Sequence, residues 1–396
     1  MKKIILTVSI ILLFVIEISR VYYIMPFPGS QKSESIDYAY WIHNNIYWVR
    51  LILLLVAIYL FVPAFKRGRN ISKLLLAFVV VLYLVIVYFL NFRMQADKMF
   101  IQTKNLEFKN ATENKVDNKK LVLGVVVNGQ AKAYPIQLIG YHHQVRDSLN
   151  NTPLMITYCT VCRTGRIFSP EVNGRPEKFR LVGMDHFNAM FEDATTKSWW
   201  RQATGVAVAG KLKGMSLKEI PSEQATLEQW LIRYPSSLIM QPDTIYNKRY
   251  KSLEEFDKGT DKDDLERRDS ASWKFKSWVV GVDYKGHAKA YDWNMLVEQK
   301  IIHDSLPGLP LLITLEKDTA TFSVLNRISK AGTLYFNKDT ANNYLLRDTN
   351  TNSTWTFSGE CIDGALKGEK LKTIQSSQEF WHSWQTFHPY TLKHEE

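Results

Sequence analysis

Val122–Tyr134 reads VLGVVVNGQAKAY, and Val279–Tyr291 reads VVGVDYKGHAKAY. An apolar β-branched run, the turn pair Asn128-Gly129 and a return through Ala131 to Tyr134 spell a β-hairpin, and the chain spells it twice. The match continues at the same offset. Asp147-Ser148-Leu149 recurs as Asp304-Ser305-Leu306, Pro153-Leu154 as Pro310-Leu311, and Ile156-Thr157 as Ile313-Thr314. After a slip of a few residues, Gly205, Gly210 and Gly214 meet Gly359, Gly364 and Gly368. Trp230 meets Trp384, and Tyr234-Pro235 meets His388-Pro389. Self-similarity at so many Gly, Pro and aromatic positions marks a duplicated unit, roughly residues 119–240 and 274–391.

Each copy reads mostly as strand. Pro135 to Tyr141 suits a short helix or turn, and Arg166–Phe168, Phe179–Val182 and part of Ser198–Val208 suit further strands. Leu227–Tyr234 suits a short helix capped by Thr226. The expected fold class is therefore α+β and strand-rich, with two repeated units packed together and preceded by three transmembrane helices. The expected division is a membrane region over 1–95, a first repeat over 96–240, a charged connection over 241–273 and a second, degenerate repeat over 274–396. The connection, with Lys248-Arg249, Glu254-Glu255, Asp261–Asp264 and Arg267-Arg268, reads as a surface segment with little apolar content.

Three apolar stretches precede residue 93: Ile4–Ile16 continuing to Met25, Leu51–Phe65 with Arg50 placed to snorkel, and Leu74–Leu90. Two further spans and the lack of a small-x-small cleavage site argue that the first is retained rather than removed as a signal peptide. Lys2-Lys3 and the loop bearing Lys66, Arg67, Arg69 and Lys73 place the amino terminus in the cytoplasm by the positive-inside rule. Three spans then put everything after Arg93 on the periplasmic or extracytoplasmic side. Glu17, beside Arg20 near the outer end of its span, reads as an interface residue, and the spans as an anchor. The formal charge of +11 is dispersed and forms no aromatic-basic groove, which argues against nucleic acid.

A duplication separates what the fold needs from what chemistry needs. Gly124, Tyr134, Asp147 and Pro153 persist in copy two as Gly281, Tyr291, Asp304 and Pro310. Cys159 and Cys162 do not, since Glu316 and Thr319 stand in their places, and His142 and His143 give way to Gln299 and Lys300. C-x-x-C is the shortest spacing at which two sulfurs hold one metal or close a small ring. Here it leads into a second strand rather than a helix, as in a metal knuckle more than a thioredoxin motif, and Arg163 and Arg166 beside it would favour thiolate. His142 and His143 precede the cysteine strand, and Met184, Asp185 and His186 follow it. The candidate metal set is Cys159, Cys162, His142, His143 and His186, suited to copper or zinc. The candidate redox set is Cys159 and Cys162 with His142 as base. Asp147 reads first as a turn residue, and Trp199-Trp200 as core. No G-x-S-x-G, H-E-x-x-H, P-loop or dinucleotide fingerprint occurs.

Val122–Pro135, His142 with Asp147, Thr157–Cys162, Ser198–Gly210 and the closing Trp230–Pro235 together resemble the DUF3179 family of unknown function, over about residues 119–290. The resemblance implies a site at His142, Cys159 and Cys162. Some members look as though selenocysteine replaces one cysteine, which implies redox chemistry. This chain departs from the pattern at Arg163, where glycine is usual, and at Phe187-Asn188-Ala189, where Ser-Asp-Leu is usual. The expectation is a membrane-anchored thiol protein, redox-active and/or copper-binding, with an extracytoplasmic redox or metal-delivery partner and thiol oxidoreductase activity as the enzymatic option. The alternative is a non-enzymatic binding module with a structural disulfide or zinc.

Overall fold

A computed structural model describes residues 1–340 and 342–395. The fold is α+β: three apolar amino-terminal helices, then a strand-rich region of many small sheets. Two compact units divide the chain, Met1–Gln102 with Val172–Leu217, and Thr103–Glu171 with Lys218–Glu396.

In the first unit, helices α1 (Lys2–Tyr22), α2 (Ile36–Arg67) and α3 (Asn70–Tyr88) are long and apolar enough to cross a membrane, α3 running on in a wider turn to Arg93. Glu17 is fully buried among them. Its carboxylate accepts from Arg50 Nε at 2.6 Å and Nη2 at 2.9 Å, from Asn91 Nδ2 at 2.9 Å and from Tyr83 Oη at 3.2 Å. Arg50 therefore does not snorkel to the surface as its position suggests. A carboxyl group buried between apolar helices is satisfied only by polar partners brought to it, and Arg50 is the charged one.

The strands Phe179–Asp185, Asn188–Asp193, Trp199–Arg201 and Ala207–Ala209 form a sheet that belongs with these helices. Met184 N donates to Ile24 O at 2.9 Å, and a Cβ on Gly183 would meet that same oxygen at 2.2 Å. The rings of Tyr40 and His43 from α2 meet Trp199 edge-on. By compactness, then, the first repeat is not one continuous block: Val172–Leu217 packs with the apolar helices, drawn there by contacts that lie outside the repeat.

In the second unit the duplication is visible bond by bond. The first hairpin pairs Leu121–Val127 with Gln130–Pro135, and its counterpart pairs Trp278–Tyr284 with His287–Asp292. Asn128-Gly129 and Lys285-Gly286 turn the two hairpins with both φ positive, the geometry that matches strand twist. A Cβ on Gly124 would meet the Trp230 ring at 2.3 Å, and one on Gly281 would meet the Trp384 ring at 2.2 Å. Glycine persists in both copies because an indole lies flat on the strand. Thr226 caps the helix Leu227–Arg233 as its sequence suggests, its Oγ1 accepting from Gln229 N at 3.3 Å.

The same recurrence appears in the outer sheets, each seen within its own unit. Trp200 Nε1 donates to Asp193 Oδ2 at 3.0 Å, and Trp355 Nε1 to Asp348 Oδ2 at 3.0 Å. Trp199 and Trp200 are core, as expected.

Each copy's closing segment pairs with its own hairpin and reaches across to the turn of the other copy. Ser222–Thr226 pairs with the first hairpin, and Thr226 N reaches copy two's turn at Thr321 Oγ1, 2.9 Å away. Ser377–Phe380 pairs with the second hairpin, and Phe380 N reaches copy one's cysteine turn at Cys162 O, also 2.9 Å away. Gln224 Nε2 donates to Gln378 Oε1 at 2.9 Å where these segments meet.

Residues 241–273 are not a bare surface segment. Tyr246, Tyr250, Leu253 and Phe256 are buried. Their spacing of three to four residues gives short helical turns one apolar face, hidden in the sequence by the charges between them.

Candidate functional site

Strand Thr152–Cys159 ends on the first cysteine, and strand Thr164–Phe168 begins just past the second, with Cys159 opposite Thr164. The turn between them closes through Arg163 N to Thr160 O at 3.2 Å. Both thiols are buried and unbridged, and Cys162 is hydrogen-bonded to Cys159.

Arg163, between Cys162 and the next strand, has φ of 55°. That is the left-handed region, where a side chain costs about 1–2 kcal/mol. The side chain is clamped in return. Its guanidinium donates to Gln378 Oε1 at 2.8 Å, Phe256 O at 3.0 Å and Asp257 O at 3.1 Å, and lies 3.9 Å from the Trp278 ring centre. Arg166 is likewise engaged, by Glu219 at 3.1 Å and Glu379 at 3.0 Å. Both guanidiniums are thus committed to acceptors other than the sulfurs. Burial pushes the Cys162 thiol well above its ordinary range, and the neighbouring Cys159 pushes it further.

Copy two and the connection cover the turn. His382 Nε2 donates to Val161 O at 3.2 Å, and its ring stacks on Phe275 at 4.2 Å. Burial lowers His382 to about 4, so it is neutral near pH 7. Ser383 hydrogen-bonds Cys162, and Ser383 Oγ also donates to Glu379 Oε2 at 3.0 Å. From the connection, Glu266 is hydrogen-bonded to Thr160 inside the C-x-x-C, and burial raises its carboxyl to about 7. A cavity of about 600 Å³ lies beside the turn, with Arg163, Asp257, Arg268, Trp278 and Gln378 among its walls.

The histidines are placed differently from one another. His142 ends the helix Ile136–His142, and its Nε2 lies 2.7 Å from Tyr250 Oη. His143 has φ of 58°, and its carbonyl accepts from Tyr158 N in the cysteine strand, while burial lowers its imidazole to about 4. His186 belongs to the other compact unit, where Asp185 Oδ1 lies 2.6 Å from its Nδ1 and Glu34 3.6 Å from its Nε2. Among the described residues no three or more His, Cys, Asp or Glu side chains gather so as to hold a metal ion. Asp147 is not simply a turn residue: it accepts from Lys132 Nζ at 2.6 Å and Tyr134 Oη at 2.7 Å.

Sequence reasoning missed Glu379, Ser383, His382, Tyr250 and Glu266. A signal for one of them existed. Glu379 pairs with Val279 where Ala225 pairs with Val122, so the copies differ at that position as they do at the cysteines.

Residues 102–391 match DUF3179, a protein family of unknown function, and the chain belongs to that family. The match takes in both copies, beyond the 119–290 of the resemblance. No curated protein and no solved structure matches the chain.

Proposed function

We propose that this is a membrane-anchored thiol–disulfide redox protein whose working centre is the Cys159–Cys162 pair, carried on the extracytoplasmic side of the membrane. The observation that carries this reading is the contact between two unbridged thiols in a strand-to-strand turn that copy two retains without either sulfur. The rest of copy two is put to use as the cover of that turn, through Phe380, His382 and Ser383. The three apolar helices supply the anchor, and the Lys/Arg-rich ends at residues 2–3 and 66–73 favour a cytoplasmic amino terminus. Both sulfurs being buried, exchange with a partner's disulfide requires local opening that exposes Cys159, and reactivity is gated by that step.

The test is redox equilibration of the intact chain in detergent against mixtures of reduced and oxidised dithiothreitol. A single two-electron transition joining Cys159 to Cys162, identified by peptide mass, supports the reading. Thiols that stay unchanged across the whole range of mixtures refute it.

A further inference from the structure

We infer that Ser383 and Glu379, supplied by copy two, form the route by which the proton of the Cys162 thiol leaves when the dithiol is oxidised. This rests on the dithiol reading above and names the groups that would serve it.

The argument begins with one hydroxyl. A serine carries a single proton to donate and two lone pairs to accept with. Ser383 Oγ gives that proton to Glu379 Oε2 at 3.0 Å. Its hydrogen bond with Cys162 then leaves an oxygen lone pair facing the thiol, ready to accept the proton as the sulfur gives it up. This pairing lines up Cys162, Ser383 and Glu379 as consecutive hydrogen-bond partners. Glu379 is held as an acceptor by Arg166 Nη2 at 3.0 Å and Ser377 Oγ at 2.9 Å, both on its other oxygen. All of these side chains are buried.

The duplication supplies an internal control. The segment Ser222–Thr226 with helix Leu227–Arg233 docks on the turn that lacks cysteines, and there the equivalent positions are Ala225 and Gln229. The segment docking on the cysteine turn carries Glu379 and Ser383 instead. The acid and the hydroxyl accompany the sulfurs, and the backbone pairing is the same without them.

In the step itself, Cys159 has already attacked a partner's disulfide and carries half of it as a mixed disulfide. Cys162 Sγ then attacks Cys159 Sγ. The Cys159–Cys162 bond forms, the bond from Cys159 to the partner sulfur breaks, and that sulfur leaves with the electron pair. The Cys162 proton passes to Ser383 as the Ser383 proton passes to Glu379, and Glu379 releases it to solvent when the cover lifts. Two electrons go from the dithiol to the partner's disulfide.

The experiment uses the full chain in detergent with Cys361→Ser, reduced and then mixed with dithiobis-nitrobenzoate, an aromatic disulfide. The first release of coloured thiol reports the first attack, and the second reports ring closure by Cys162. Ser383→Ala is expected to slow the second release at least roughly tenfold at neutral pH while leaving the first unchanged. Its rate should rise about tenfold per pH unit, because hydroxide replaces the lost acceptor, where the parent levels off. Arg163, Arg166, Glu219, Glu266, His382 and His388, the other charged or titratable side chains around the turn and Glu379, are retained in the variant and cannot produce that difference. Ser383→Thr, which keeps the hydroxyl, should restore the second phase. Glu379→Gln should match Ser383→Ala if it folds, and the serine variants decide the matter if it does not. A normal second phase in Ser383→Ala overturns the relay alone. No release from the parent chain overturns the dithiol reading beneath it.

Discussion

Replacing Arg163 by alanine and by glycine separates two things the structure places on one residue. The guanidinium satisfies two backbone carbonyls and the Gln378 side chain, and it lies against Trp278. Removing it loses three hydrogen bonds from a charged donor, at roughly 1.5–3 kcal/mol each before any water enters. Gln378 Oε1 and Phe256 O keep Gln224 Nε2 and Gly259 N as donors. A net loss of about 4 kcal/mol is expected for Arg163→Ala, because the adjoining cavity lets some water in. For a unit of this size that is a fall in thermal midpoint of about 8–16 °C. Arg163→Gly loses the same bonds but relieves the strain of φ at 55°. Relief of about 1–2 kcal/mol, less about 0.5–1 for the freer unfolded chain, should leave it above the alanine variant by about 1 kcal/mol. The assay is thermal unfolding of detergent-solubilised protein followed by tryptophan fluorescence. A midpoint for Arg163→Ala within 2 °C of the parent would refute the clamp. Glycine no better than alanine would refute the strained turn.

Other predictions follow from single contacts. Gly281→Ala drives a methyl into the Trp384 ring and Gly124→Ala one into Trp230, so each should cost about 1–3 kcal/mol in the same assay; unchanged midpoints would contradict the flat-indole packing. Glu17→Ala leaves half-buried Arg50 without its carboxylate among apolar helices and should cost about 3 kcal/mol, while Glu17→Gln, which still accepts hydrogen bonds, should cost less. His143, His303 and His382 are held near 4 by burial against an ordinary 6.5. Between those values the unfolded chain binds more protons, so stability should fall as pH is lowered from about 6.5 to 4. Glu266, raised to about 7, works the opposite way across 4.5 to 7, and Glu266→Gln should deepen the acid loss, as read from midpoints measured across that range.

The hairpins, the capped helix at Leu227, the three apolar helices and the duplication were legible because each rests on local pattern: a β-branched run with a turn pair, a capping threonine, unbroken apolarity, a repeated phrase. The cysteine turn was legible for the same reason, being bounded by two strands. What surrounds it was not. Phe380, His382 and Ser383 arrive from more than two hundred residues away, and the reciprocal docking that brings them is a property of two copies packed together. Tyr250 and Phe256 were masked by the charges interleaved with them. The partners of Arg163 and Arg166 were hidden because charge in a sequence carries no address: Arg163 reaches copy two and the connection, and Arg166 reaches Glu219 of its own copy and Glu379 of the other. Comparing the copies was the most informative device available, and it was applied to the cysteines but not to the segment that faces them.

The most direct test of the central claim is a thiol count on the intact protein purified from its own membranes, before and after mild reduction, with bound metal quantified in the same sample. A redox centre predicts that two thiols appear on mild reduction and vanish on reoxidation. It further predicts that Cys159→Ser and Cys162→Ser each abolish the change, and that metal stays well below one ion per chain. Sulfurs that never react, or one copper or zinc per chain lost in both variants, would contradict it.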